Sequence, residues 1–128
     1  MGTRFIATQE APVHENVKQT ILRSSELDTK LIMRPLRNTE RVLRNAAVDR
    51  ILAKEHELGT AITFQDIAKE VAGVYPLIMR DGVLDAGAWS CGMVASLIRD
   101  IPSVKELINR IVSDASKIIA HRLVGMLS

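Results

Sequence analysis

Residues 103–123 read SVKELINRIVSDASKIIAHRL, and this stretch decides the fold class. Val104, Leu107, Ile108, Ile111, Val112, Ala115, Ile118, Ile119 and Leu123 recur at intervals of three and four, the period of a helix with one apolar face. Ser103 with Glu106 three residues on forms a capping box, in which the hydroxyl takes an orphan N–H of the first turn. At 1.5 Å per residue, the helix predicted from Ser103 to Leu127 is about 35 Å long. A chain that ends this way is helical.

Working towards the N-terminus, the same signals predict four shorter helices. Pro12 suits a first helical turn, and Val13, Val17 and Ile21 follow at four-residue spacing until Ser24-Ser25. Asn38 or Thr39 caps a second helix carrying Leu43, Ala47, Ile51 and Leu58, stopped by Gly59. Thr63 with Asp66 opens a third, with Ile67, Ala68 and Val71, ended by Gly73. Asp85 caps a fourth from Ala86 to about Arg99. Thr3 to Ala7 reads as a short extended piece, and Thr29 to Met33 alternates weakly before Pro35. Residues 74–82 show no period. The expectation is an all-α chain of about five helices, one helical domain over residues 1–128.

Composition narrows the function classes. Aromatic residues make up only 3% of 128, which suits a core of Leu, Ile, Val and Ala better than a β-sandwich. A net charge of +2 does not point to nucleic acid. No run of 18 apolar residues offers a membrane span, and the first residues lack a secretory apolar region. Cys91 is the lone cysteine, so an internal disulfide and a cysteine-rich zinc site are excluded. His14, His56 and His121 share no metal-ligand spacing, and no metal is expected. These features place the chain in the cytoplasm. Arg37, Arg41 and Arg44 fall on one face if their segment is helical. Glu40 lies beside them and no aromatic residue is interleaved, so a solvated face is the expected reading.

Several stretches in order resemble the nitronate monooxygenase family, also called 2-nitropropane dioxygenases. They are Met1-Gly2-Thr3-Arg4-Phe5-Ile6-Ala7-Thr8, Glu10-Ala11-Pro12-Val13-His14 and Arg41-Val42-Leu43-Arg44-Asn45. The remaining two are Asp85-Ala86-Gly87-Ala88-Trp89-Ser90-Cys91-Gly92-Met93-Val94-Ala95 and Ile101-Pro102-Ser103-Val104-Lys105-Glu106-Leu107. The resemblance spans essentially the whole chain and is to the family's C-terminal region only. It implies a flavoprotein oxidoreductase, an FMN-dependent monooxygenase, built on a TIM barrel that binds FMN at the strand ends. The first seven strands and the family's histidine base, when present, then belong upstream. The chain is expected to be the end and helical extension of that barrel, the barrel itself being absent.

The resemblance also assigns residues. Gly2 and Thr3 match the pair that helps hold the FMN phosphate, against the plain reading of a frayed terminus. Trp89, Ser90 and Met93 match a region near the substrate, and many relatives carry Gln where Met93 stands. Read as a helix, Trp89, Met93 and Leu97 share one stripe and Ala88, Gly92 and Ser96 another, which favours core packing. No catalytic residue is assigned, and no cofactor is expected on this chain alone. Two readings follow: a part of an FMN-dependent oxidoreductase, inactive alone, or a non-catalytic helical module. The second draws on the terminal helix, whose apolar face suits a homodimer.

Overall fold

The computed structural model describes residues 1–126, and the chain is mostly helical with one β-hairpin. Helix α1 (Gly2–Ile6) leads to α2 (Glu15–Arg23), then strands β1 (Thr29–Ile32) and β2 (Glu40–Leu43). Helices α3 (Ala46–Leu58), α4 (Ala68–Val71) and α5 (Tyr75–Met79) follow, and α6 (Val104–Lys117) comes last. The backbone widens into a π turn over Ile118–Leu123 and tightens over Val124–Met126. The predicted end at Leu127 lies outside the described residues.

The opening piece is helical rather than extended. Arg4 N and Phe5 N both donate to Met1 O, which closes a first turn, and no described strand pairs with the segment. The Arg4 guanidinium bonds Asp100 Oδ1 at 2.8 Å, and Thr8 Oγ1 donates to Phe5 O at 2.7 Å. Helix α2 starts at His14, not Pro12: His14 Nδ1 accepts from Asn16 N at 3.1 Å. An imidazole does here what a Ser or Asp usually does at a cap.

The largest correction concerns residues 38–45. Asn38 and Thr39 do not open a helix. Met33 and Arg37 take positive φ (59° and 54°), and Asn38 N bonds back to Met33 O at 3.2 Å. The chain therefore reverses, and β2 pairs antiparallel with β1, Thr29 opposite Leu43 and Ile32 opposite Glu40. Adjacent residues on a strand point to opposite faces, so Val42 enters one apolar cluster and Leu43 another. A helix cannot send neighbours both ways. Helix α3 begins afterwards, capped by Asn45 Oδ1 on Val48 N at 2.9 Å, and ends where predicted at Gly59, with φ of 54°. The arginine face disappears with the helix: Arg37 sits in the turn, Arg41 bonds Thr29 Oγ1 across the strands, and Arg44 pairs with Asp49.

The predicted helix from Ala86 to Arg99 also does not form. Asp85 Oδ1 accepts from Ala46 N at 3.0 Å, capping α3 instead of its own segment. Residues Gly87 to Cys91 run extended, and Val42 and Ser90 form an antiparallel bridge. Leu43 N donates to Trp89 O at 3.2 Å and Cys91 N to Arg41 O at 3.1 Å, so the segment lies along β2 as a third edge. Gly87 is required by proximity: a Cβ there would sit 2.6 Å from Glu70 O and from Val74 Cβ. The Trp89–Met93–Leu97 stripe is therefore broken. Trp89 is buried at 1% exposure while Leu97 is 78% exposed.

Two apolar clusters meet along this edge. One gathers Ile21, Leu43, Ile78, Trp89 and Ile98; the other gathers Ile32, Val42, Val48, Ile51 and Ile67. Ala88 and Trp89 enter different clusters, as Val42 and Leu43 do. Helix α5, in the stretch without a readable period, starts with Pro76 in its first turn and inserts Ile78 into the first cluster.

Candidate functional site

The first turn of α1 and the extended segment come together through one hydrogen bond. Gly92 N donates to Thr3 Oγ1 at 2.9 Å, across a separation of 89 residues. Thr3 of the expected cofactor pair thus touches the segment that carries the expected substrate residues, at Gly92. Gly2 is exposed, with open space where a Cβ would project. The N–H groups of a first helical turn have no intrahelical partner, so those of Gly2 and Thr3 are available to an acceptor. Thr3 Oγ1 accepts from Gly92, and its own proton lies within reach of the Cys91 sulfur.

Behind Thr3 lies Cys91. Burial pushes its thiol up to about 11, and a hydrogen bond with Thr3 works weakly against that shift. A thiol held this way is protonated at neutral pH and is not a nucleophile. Arg4 does not face the Gly2–Thr3 corner as a cation in waiting; it is tied to Asp100 through both the carbonyl (2.9 Å) and the carboxylate.

The three substrate-region residues divide. Trp89 points into the core, and its Nε1 is buried without a partner among the described residues. Ser90 is exposed and its hydroxyl lies 2.9 Å from the Tyr75 hydroxyl, which also accepts from Ser90 N at 3.1 Å. Ser90 Oγ donates in turn to Glu40. Met93 is 52% exposed on the far side of Gly92. Tyr75 and Glu40 are members of this polar cluster that sequence reasoning missed. Tyr75 falls in the segment with no period, and Glu40 lies in a stretch whose spacing predicts a helix but which forms β2. The bridge between Val42 and Ser90 brings them together, and no spacing in the sequence encodes it.

No enclosed pocket and no cluster of three or more potential metal ligands is present among the described residues. No described helix is long and apolar enough to cross a membrane.

The family model described as nitronate monooxygenase matches residues 1–114. The chain belongs to this family. Nitronate monooxygenase-family proteins are flavin-associated in general. Among solved structures, the chain is similar to FabK from Thermotoga maritima, with a TM-score of 0.85 and 29% identity. That similarity covers 98% of this chain and 39% of FabK. Two curated relatives bear the name (3aS,4S,5R,7aS)-5-hydroxy-7a-methyl-1-oxo-octahydro-1H-indene-4-carboxyl-CoA dehydrogenase. The one from Mycobacterium tuberculosis is 27% identical over 90% of this chain and 42% of its own length. The one from Rhodococcus jostii is 26% identical over 91% of this chain and 43% of its own length. The chain thus spans about two fifths of each relative, which fits the C-terminal portion of a TIM-barrel family member.

Proposed function

We propose that the chain supplies the phosphate corner and the rim of an FMN site in a larger cytoplasmic oxidoreductase of this family, and that it does not hold the flavin by itself. The observation that supports the reading is the Thr3–Gly92 bond, which brings Thr3 to the residue that lies between Ser90 and Met93 in the chain. The fit is one-sided. Gly2 leaves room for an anion, and the first-turn N–H groups of Gly2 and Thr3 have no intrahelical partner. Nothing among the described residues encloses a planar ring system. When bound, FMN would supply the redox chemistry; these residues would hold and orient its phosphate end.

The test has two arms on the purified chain. FMN added in excess and then dialysed away should leave colourless protein that does not turn over an alkyl nitronate. Stoichiometric retained flavin would overturn the claim of incompleteness. In the second arm, amide resonances of Gly2 and Thr3 should shift first on titration with inorganic phosphate. Shifts spread evenly over the chain, or none, would remove the phosphate corner.

The substrate of the complete protein is the finer part of the reading. The carboxyl-CoA names of both curated relatives favour an acyl thioester over an alkyl nitronate. Turnover of nitronate, but of no thioester, by a flavin-loaded full-length protein would reverse that preference.

A further inference from the structure

We propose that the turn Arg34-Pro35-Leu36-Arg37 between β1 and β2 binds the phosphates of the carrier that brings an acyl thioester to the rim. The inference rests on the acyl-thioester reading above and names where such a substrate is gripped. The turn is held firmly. Pro35 takes the second of its four positions, and Arg37 N donates to Arg34 O at 3.0 Å, which sets the two Cα atoms within about 7 Å. Leu36 packs on the second apolar cluster, and Glu55 of α3 accepts from Met33 N. Met33 and Arg37 keep left-handed backbone that residues with a Cβ disfavour, and these ties hold it in place.

Charge decides the ligand. Arg34 and Arg37 are exposed, and no ion pair among the described residues includes either of them or Arg41. The two carboxylates tied to this hairpin face other donors: Glu40 accepts from Ser90 Oγ and Glu55 from Met33 N. Arg41 gives one N–H to the neutral Thr29 hydroxyl. Two guanidiniums on one fixed turn, with a third on β2, therefore lack a counter-charge. Planar forks of N–H donors suit oxygen-rich anions, and a diphosphate carries enough oxygen and charge to meet two forks at once. Position fits a carrier. Glu40 lies three residues beyond Arg37 and bonds Ser90, so the turn stands about 10 Å from the rim at strand spacing. A thioester rides on a flexible pantetheine arm that ends in phosphate. Its carbonyl can lie at Ser90 and Met93 while its phosphates reach the turn.

Titration of the isotope-labelled chain with coenzyme A, followed by amide and arginine Nε resonances, tests this without turnover. Resonances of residues 33–38 should shift, together with Ser90 or Met93. Arg34→Gln and Arg37→Gln should each weaken binding about threefold, and added salt should weaken it further. Circular dichroism identical to the parent's shows that the variants fold. Pantetheine, which has the arm and no phosphate, should leave the turn unmoved. Outside the Gly2–Thr3 corner, adenosine diphosphate should move the turn alone. Inorganic phosphate, with a single centre, should reach the turn only after that corner is filled. Shifts confined to Gly2 and Thr3, or indifferent to both substitutions, overturn the proposal. So does a turn that answers pantetheine as it answers coenzyme A. Identical maps from coenzyme A and adenosine diphosphate overturn the carrier as the source of the phosphates. Failure of the flavin corner is read separately, at the Gly2 and Thr3 amides with inorganic phosphate.

Discussion

The body of the molecule and its terminal helix carry the same kind of sequence signal and use it differently. In the body, apolar residues at helical spacing are spent in two clusters that meet along an extended segment; Ile51, Ile67, Ile78 and Trp89 are all nearly inaccessible. In α6 the spacing is more regular, yet only Leu107 is buried. The helix is fastened at its root. Val104 N donates to Glu10, Ser103 caps Glu106 N at 3.2 Å, and Arg110 reaches both Asp100 and Glu106. A regular apolar period establishes a helix; it does not say whether the apolar face finds a partner in the same chain.

That contrast can be broken at its centre. Trp89→Ala removes the largest fully buried side chain and should cost about 3–5 kcal/mol, seen as loss of the cooperative thermal transition. Gly87→Ala comes next: its methyl meets Glu70 O, and the 2.7 Å bond from Ala88 N to that oxygen must lengthen. Overpacking of this kind costs about 1–3 kcal/mol, to be read from the denaturant midpoint. A variant as stable as the parent would mean that the extended edge is not the joint between the clusters.

The contrast is sharpened by milder tests. Hydrogen bonds from Thr63 to Asp66, and from Ser25 to Asp28, hold those carboxyls below the usual range. Because the folded values are the lower ones, this stabilisation is present above the ordinary carboxylate range. It is lost as pH falls through the folded values, so body stability should begin to drop below about pH 4. Asp66→Asn should flatten that acid limb. The smallest expected effect is on the other side of the comparison. Ile111→Ser should change the thermal stability of the body by less than about 0.5 kcal/mol, because the residue belongs to neither apolar cluster. A large loss would mean that α6 contributes to the body's core.

Much of the candidate site was legible as a set of residues and not as an arrangement. Gly2, Thr3, Trp89, Ser90 and Met93 are readable as candidates in the sequence, and the Thr3–Gly92 bond ties the first segment to the second at a residue outside that set. The sequence could not show that Trp89 turns inward while Ser90 turns out to Tyr75 and Glu40, because that follows from an extended segment read as a helix. The caps at Asn38 or Thr39 and at Asp85 misled for a related reason. An Asx side chain can satisfy any nearby N–H, and Asp85 satisfies one 39 residues away.

By itself the sequence determined the mostly helical character, the stop at Gly59, the capping box at Thr63, the N-cap at Ser103 (though not the return bond from Glu106, which pairs with Arg110 instead), and the long amphipathic end. Each of these depends on residues within one or two turns of each other. Only the tertiary structure decided that residues 40–43 and 87–91 are extended, because strand pairing draws its hydrogen bonds and its burial from residues distant in the chain.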